Sequence, residues 1–155
     1  WNHDIRELKN YDGLFISNGP GDPKMADKTV EAIQHVMEEG KRPIFGICMG
    51  NQLLALAAGG NTYKLKYGHR SANQPCIDTN TGRCYITSQN HGFAVDAKSL
   101  PQGWKVWFKN ANDGTVEGIR HTSKPWFSVQ FHPEASPGPE DAAYLFDEYI
   151  QLLAK

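Results

Sequence analysis

Residues 43–60 read PIFGICMGNQLLALAAGG, two apolar runs separated by a turn that contains a cysteine. The first run, at 43–47, has the length of a buried strand. The second, at 49–58, is apolar on nearly every side and is bounded by two glycines. We therefore predict a buried strand that leads through a sharp turn at Cys48 into a buried helix.

A second strand and helix precede this unit. Leu14-Phe15-Ile16 is a short apolar run that enters a Gly/Pro-rich turn at 17–23, and apolar residues recur at helical spacing over 27–39 until Gly40. The order strand, helix, strand, helix is typical of parallel strands joined by crossover helices. Binding sites in such sheets gather at the carboxyl ends of the strands, where both the Gly/Pro turn and Cys48 fall.

The pattern changes after residue 60. Short alternating stretches at 84–87, 104–108 and 116–119 predict antiparallel strands and hairpins, and 126–131 predicts one more buried strand. Pro139, followed by two acidic residues, is predicted to open a final helix. The apolar face of that helix consists of Ala142, Leu145, Phe146, Tyr149 and Leu153.

Composition excludes several classes of protein. The 155 residues, 39% of them hydrophobic, suffice for one domain with a core. The net charge is -1 and no basic block is longer than Lys41-Arg42, so nucleic acid is not an expected partner. No apolar run approaches the roughly 18 residues of a membrane span, so no membrane partner is expected. The 3 cysteines lack Cys-x-x-Cys spacing, which predicts neither a disulfide framework nor a zinc site and favours a reducing compartment.

The densest chemical signal is Gly46-Ile47-Cys48-Met49-Gly50. This Gly-x-Cys-x-Gly pattern between a strand and a helix matches the nucleophile elbow of serine hydrolases, in which small neighbours allow a strained turn to expose the nucleophile. The dipole of the following helix would stabilise a thiolate there. Cys48 is therefore a candidate nucleophile, and the alternative is a small buried cysteine in a strand–helix turn.

A candidate base follows the last predicted strand, at the same sheet edge as Cys48. In the string Gln130-Phe131-His132-Pro133-Glu134, His132 could accept the thiol proton, and Glu134 could fix the imidazole tautomer and stabilise the imidazolium. Such a string is an ordinary loop in most proteins. Together with the cysteine turn, it forms a candidate Cys-His-Glu triad.

Attack on an acyl carbon also requires donors for the developing oxyanion. The backbone N–H groups of Met49 and of Gly19, in the turn at 18–21, are candidates. That turn is not followed by Gly-Lys-Ser/Thr, so it does not predict nucleotide binding. The polar cluster at 88–93 has the composition of an ordinary turn, with His91 in a structural role. Residues interpreted as surface, core or strand positions without chemistry, and without metal-ligand spacing, are His3, His35, His69, His121, Cys76 and Cys84.

Several stretches, in this order and spacing, resemble the class I (triad) glutamine amidotransferases, and two of them are similar to the glutaminase part of carbamoyl-phosphate synthase. The likeness runs from about Tyr11 to Leu153 and implies an α/β fold with a doubly wound, mostly parallel sheet and added antiparallel strands. The stretches that carry the family likeness are NGPGDP at 18–23, FGICMGNQ at 45–52 and FHPE at 131–134. Those similar to the synthase are SQNHGFAV at 88–95 and HPEASPGP at 132–139.

The resemblance implies that Cys48 attacks the side-chain amide of L-glutamine to form a glutamyl thioester, with His132 as acid and base and Glu134 orienting it. Gly19 and Met49 match the backbone oxyanion donors of the family. The positions that match its glutamine-holding residues are Gln52, Asn90, Gly92 and Phe93. No cofactor is implied for this domain. Its ammonia would pass to a large synthetase chain of carbamoyl-phosphate synthase, or to a fused synthetase region, that uses ATP and Mg.

Two features depart from the family pattern. Asn51 stands where many relatives have His, and we expect catalysis to survive the change because the position lies outside the triad. The family's domain begins with a strand and a helix ahead of Trp1, a part that also contributes a glutamine-binding serine. We therefore expect residues 1–155 to be a glutaminase domain that is partial at its N-terminus, with an incomplete parallel sheet.

The resemblance thus implies a glutamine-hydrolysing enzyme of pyrimidine and arginine biosynthesis, cytoplasmic or mitochondrial. Two alternatives stay open. One is a class I amidotransferase that serves another acceptor, as in guanylate or anthranilate synthesis, against which the 132–139 string argues. The other is a docking module with a relic site, against which the intact cysteine, histidine and glutamate argue.

Overall fold

The computed structural model describes residues 10–135 and 140–155 of the chain. Two short 3-10 turns, Pro23–Met25 and Ala97–Ser99, accompany the helices and strands. The elements in chain order are β1 (Leu14–Ile16), α1 (Asp27–Glu39), β2 (Ile44–Ile47), α2 (Met49–Ala57), β3 (Thr62–Asp78), β4 (Cys84–Val95), β5 (Trp104–Asn110), β6 (Val116–His121), β7 (Trp126–Val129) and α3 (Tyr144–Leu153).

The described strands form one open sheet in the order β1-β2-β7-β6-β5-β3-β4. β1, β2 and β7 are parallel to one another, whereas the remaining neighbours, from β7 to β4, pair antiparallel. The predicted α/β fold with added antiparallel strands is therefore confirmed, and its parallel part comprises three of the seven described strands. The antiparallel extension is larger than the sequence indicated.

Helices cover both faces of the parallel strands. Ile44 and Trp126 pack with α1 and α2 on one face, whereas Phe45 and Phe127 pack with α3 on the other. The rings of Phe45 and Phe127 lie 4.7 Å apart, centroid to centroid. β2 and β7 are buried on both faces and therefore read as continuous apolar runs, which is why they could be identified without alternation. β1 is also an apolar run, although Phe15 in its middle is 44% exposed.

The helices agree with the prediction to different degrees. α1 has the predicted bounds and ends at Gly40, whose φ of 69° is left-handed. α2 is buried along nearly its whole length. α3 begins at Tyr144 after a turn at 141–143, later than predicted, and Pro139 lies outside the described residues, as does His3. None of the helices in the described ranges is long and apolar enough to cross a membrane.

The hairpin of β3 and β4 differs most from the sequence prediction. The sequence carries little sign of β3, because its 17 residues are largely exposed and do not alternate between apolar and polar. The turn predicted at 88–93 is wrong, since this stretch belongs to β4 and pairs with β3, Asn90 opposite Arg70 and Phe93 opposite Lys64. The pairing carries Asn90 and Phe93 to the carboxyl edge of the parallel strands, beside Cys48.

Two glycines allow the turn between β2 and α2 to pack closely. A Cβ on Gly46 would lie 2.6 Å from the carbonyl carbon of Gly50, and a Cβ on Gly50 would clash with the backbone carbonyl of Ile16 in β1. Neither position therefore accepts a side chain without backbone movement. The Gly-x-Cys-x-Gly pattern follows from this contact of the first turn of α2 with β1 and β2.

We expect Gly50→Ala to lower the free energy of unfolding by about 1–3 kcal/mol or more, because overpacking at this contact moves backbone rather than a side-chain end. Hydrogen exchange of the amides in β1 and α2, measured on the intact protein, would detect the loosening. Gly92→Ala is the matched control, since its Cβ would meet only the Arg70 guanidinium at 3.7 Å. Equal exchange in both variants would contradict the packing argument.

Candidate active site

A cavity of about 490 Å³ opens at the carboxyl ends of β1 and β2. It brings together every oxyanion and substrate-binding residue predicted from the sequence, together with Cys48. Two cations that the sequence analysis did not single out, Lys64 and Arg70, also line it. The lining residues are Asn18, Gly19, Pro20, Gly21, Cys48, Met49, Gln52, Lys64, Arg70, Asn90, His91, Gly92 and Phe93.

Cys48 occupies a strained turn. Its φ of 54° and ψ of -103° make it the only non-glycine residue with positive φ in the described ranges. The residue precedes the first turn of α2, and its N–H donates to the carbonyl of Val129 in the adjacent strand β7 at 2.9 Å. A strained residue persists only where its surroundings hold it, and such residues cluster at active sites. The elbow predicted from the glycine spacing is thus present.

His132 and Glu134 lie just beyond β7, as the sequence indicated. Nδ1 of His132 bonds Oε1 of Glu134 at 2.6 Å, while its Nε2 is buried without a hydrogen-bond partner among the described residues. Among the described residues, no contact between Nε2 of His132 and Sγ of Cys48 meets hydrogen-bond geometry. The Cys48 thiol nevertheless makes the largest contribution to the pKa of this imidazole. Interaction with Cys48, and then with Glu134, raises the pKa of His132 to about 10 against the opposing effect of burial. The arrangement favours the protonated imidazolium at His132.

The candidate oxyanion donors come from two separate segments of the chain. Met49 is the first residue of α2, and Gly19 follows β1 in the Gly/Pro turn. The two are neighbours, because a Cβ on Gly19 would lie 3.1 Å from Sδ of Met49. This proximity is compatible with the predicted pairing of their backbone N–H groups at one developing negative charge.

Residues expected to hold a substrate come from α2 and β4. Nε2 of Gln52 donates to the carbonyl of Phe93 at 2.9 Å, which ties the helix to the strand across the cavity. Sγ of Cys48 lies 3.9 Å from the carbonyl of Asn90. Gly92 lies between Asn90 and Phe93 in β4. Cys48 therefore contacts Asn90 directly, and Gln52 contacts Phe93 across the same cavity.

Sequence reasoning missed a buried polar network behind Cys48. Nε2 of Gln130 lies 3.6 Å from Sγ of Cys48, and Oε1 of Gln130 accepts from Nδ2 of Asn51 at 3.1 Å. Oδ1 of Asn51 accepts in turn from the hydroxyl of Ser128 at 2.9 Å. Gln130 directly follows β7, and its position two residues before His132 was the available signal.

Beneath β4 lies a second polar cluster, which contains two histidines interpreted as structural from the sequence. Potential metal-ligand atoms of His69, His91 and Glu117 lie within 4.8 Å of one another, the one such group among the described residues. Hydrogen bonds to the fully buried Glu117, at 3.1 Å, and to Asp113, at 2.9 Å, raise the pKa of His69 to about 9. Burial lowers the pKa of His91 to about 4. An imidazolium at His69 supplies the positive charge that these carboxylates require.

Comparisons with known proteins agree with this geometry. A family model described as glutamine amidotransferase class-I matches residues 1–152. The chain is 59% identical over 155 residues to the multifunctional protein pyr-3 of Neurospora crassa, covering 100% of this chain and 8% of that protein. It is 58% identical over 146 residues to the carbamoyl phosphate synthase arginine-specific small chain of Neosartorya fischeri, covering 94% of this chain and 32% of that one. The chain thus spans a small part of these relatives.

A solved structure supports the fold independently. A protein of Thermoplasma acidophilum, described as one component of a GMP synthase, superposes with a TM-score of 0.82 at 23% identity. The match covers 99% of this chain and 78% of that one. At this identity the likeness establishes the architecture alone.

The bond between His132 and Glu134 predicts the effect of Glu134→Gln. The carboxylate stabilises the imidazolium, so its removal should lower the pKa of His132 from about 10 by roughly 1 to 3 pH units. A ¹³C NMR titration of labelled histidine would measure the change. Glu31→Gln, which removes an exposed carboxylate from α1, is the control. An unchanged His132 titration in Glu134→Gln would remove Glu134 from the orienting role.

Proposed function

The chain belongs to the class I glutamine amidotransferase family, and on this premise we propose that it hydrolyses L-glutamine through Cys48, His132 and Glu134. Cys48 is the nucleophile, His132 the acid and base, and Glu134 the carboxylate that orients the imidazole. The single observation that carries the proposal is the strained Cys48 turn beside an imidazole whose pKa is raised by both Cys48 and Glu134.

The proposed reaction has two steps. In the first, the proton of the Cys48 thiol passes to His132, and the thiolate attacks the side-chain amide carbon of glutamine. The imidazolium then protonates the departing nitrogen, so ammonia leaves and a glutamyl thioester remains. In the second step, water gives a proton to His132 and attacks the thioester. Glutamate is released, and the proton returns to the sulfur of Cys48.

The cavity supplies binding groups for both steps. N–H groups of Gly19 and Met49 are proposed to stabilise the oxyanion that forms on the amide carbon. Gln52, with Asn90, Gly92 and Phe93 of β4, is proposed to hold the α-amino and α-carboxylate groups of glutamine. The contact of Asn90 with Cys48 and the position of all four residues in the same cavity support this assignment, since proximity and orientation lower the barrier to attack.

We propose carbamoyl phosphate synthesis as the destination of the ammonia. The relative from Neosartorya fischeri is named a carbamoyl phosphate synthase small chain, and that from Neurospora crassa a multifunctional protein. By analogy, the partner of this chain is a separate synthetase chain or a fused synthetase region, where ATP and Mg are used. The product then serves pyrimidine or arginine synthesis.

The test is Cys48→Ser in the intact protein. Glutamine-dependent formation of carbamoyl phosphate should fall roughly a thousandfold or more, because the thiolate step is lost. Formation from added ammonia should stay close to wild type, because the synthetase does not use Cys48. Both activities are followed as carbamoyl phosphate from bicarbonate and ATP, and glutamate release is measured in parallel.

Cys84→Ser is the matched control, because Cys84 is an exposed thiol in β4. It should leave both activities unchanged. Loss of ammonia-dependent synthesis in Cys48→Ser would contradict a role restricted to glutamine hydrolysis. Wild-type protein that releases no glutamate, even with bicarbonate and ATP, would favour the docking module instead.

A further inference from the structure

Three buried amide side chains form a continuous chain behind Cys48. Gln130 is fully buried, as is Asn51, and Gln52 is only 3% exposed. Oε1 of Gln130 receives two hydrogen bonds, one from Nδ2 of Asn51 and one from Nε2 of Gln52, both at 3.1 Å. Its Nε2 lies 3.6 Å from Sγ of Cys48.

The orientation of these amides follows from one backbone carbonyl. The carbonyl oxygen of Phe93 can only accept, so the Gln52 atom that lies 2.9 Å from it must be the amide nitrogen. The same nitrogen lies 3.1 Å from Gln130, where it requires an acceptor. The oxygen of Gln130 must therefore face Gln52, and its NH₂ group is left to face the sulfur.

The bonds of Asn51 agree with this orientation. Ser128 donates its hydroxyl to Oδ1 of Asn51 at 2.9 Å, which leaves Nδ2 of Asn51 to donate to Gln130. Two donors thus converge on Oε1 of Gln130 from α2. If the Gln130 amide were reversed, its NH₂ group would face the NH₂ groups of Asn51 and Gln52. Buried donors would then face one another without an acceptor, which costs more than the loss of a hydrogen bond.

We infer that Gln130 is the donor that orients and stabilises the thiolate of Cys48. An N–H directed at the sulfur favours the charged form, because hydrogen bonds to ionised acceptors are stronger than those to neutral ones. The carbonyl of Asn90, 3.9 Å from the same sulfur, has the opposite effect, since it can only accept a proton from the thiol. The inference rests on the proposed function only in taking Cys48 as the nucleophile.

The network also connects the nucleophile with the substrate pocket. Nε2 of Gln52 is shared between the carbonyl of Phe93 and Oε1 of Gln130. A shift of Gln52 as glutamine binds would therefore be transmitted to the donor that faces Cys48. Gln130 is a positioning residue that touches the sulfur without contributing a proton to the reaction.

Other titratable groups surround the thiol, and the experiment must distinguish them from Gln130. Cys48 makes the largest contribution to the raised pKa of His132, and His91 of β4 lines the same cavity as Cys48. Lys64 and Arg70 of β3 line it as well. All four are unchanged in a Gln130 variant, so a shift in thiol reactivity reports the amide itself.

The decisive variant is Gln130→Met in the intact protein. It removes the NH₂ group that faces the sulfur without adding a charge, and its thioether sulfur is still a weak acceptor for Asn51 and Gln52. The rate of Cys48 alkylation by iodoacetamide is measured against pH, by mass spectrometry of the Cys48 peptide. We expect the midpoint to rise by about one pH unit or more, so that the rate below the midpoint falls about tenfold. Gln130→Leu, which likewise has neither a donor nor a charge, should shift the midpoint in the same direction.

Internal controls lie in the same chain. Cys84 is exposed, so its alkylation profile should stay unchanged, whereas fully buried Cys76 should stay unreactive as long as the domain is folded. Ser128→Ala weakens the far end of the network without touching the sulfur and should shift the Cys48 midpoint little. If Cys76 becomes reactive in one of the two Gln130 variants, that variant is unfolded, and the Cys48 profile is taken from the other variant.

An unchanged Cys48 profile in a folded Gln130 variant would overturn the inference, even if glutamine hydrolysis were reduced. Reduced hydrolysis with an unchanged Cys48 profile would mean that Gln130 acts only by holding Gln52 in the substrate pocket. Conversely, a raised midpoint in protein that releases no glutamate would support the inference while the proposed function failed. Alkylation requires no glutamine, so the two outcomes are separate.

Discussion

The structure depends on the close approach of the first turn of α2 to β1 and β2, which is possible because Gly46 and Gly50 have no side chains. This contact forces the chain to reverse within one residue, and Cys48 takes a φ of 54° as a result. The same contact brings the end of β1, and with it Gly19, next to Met49. The proposed nucleophile, the proposed oxyanion donors and the cavity therefore share a single origin in backbone packing.

Burial on both sides of the sheet stabilises this strained turn. A non-glycine residue held in such a conformation costs on the order of 1–3 kcal/mol. Full burial of one Phe or Leu side chain contributes about 1.5–3 kcal/mol, and Phe45 just before the turn and Leu54 just after it are both fully buried. Cys48 is also held through its N–H by the carbonyl of Val129, so the elbow cannot relax without opening the β2–β7 edge.

The parallel part of the sheet and its helices were predictable because the residues that determine each element lie within or next to that element in the sequence. Apolar runs indicate the buried strands, and Gly40 marks the end of α1. The glycines around Cys48 indicate the tight turn between β2 and α2. The β3–β4 hairpin was not predictable, because its order comes from pairing between residues such as Arg70 and Asn90 rather than from periodicity. The role of Gln130 escaped prediction for a related reason: its partners lie about 80 positions away in sequence, on α2.

The amide network also explains how Asn51 can replace the histidine expected from the family resemblance. Asn51 donates to Gln130 and accepts from Ser128, one bond in each direction. A neutral imidazole likewise has one donor and one acceptor nitrogen, so it could make the same two connections. The network thus stays connected from Ser128 to Gln130 whether position 51 carries an amide or a neutral imidazole.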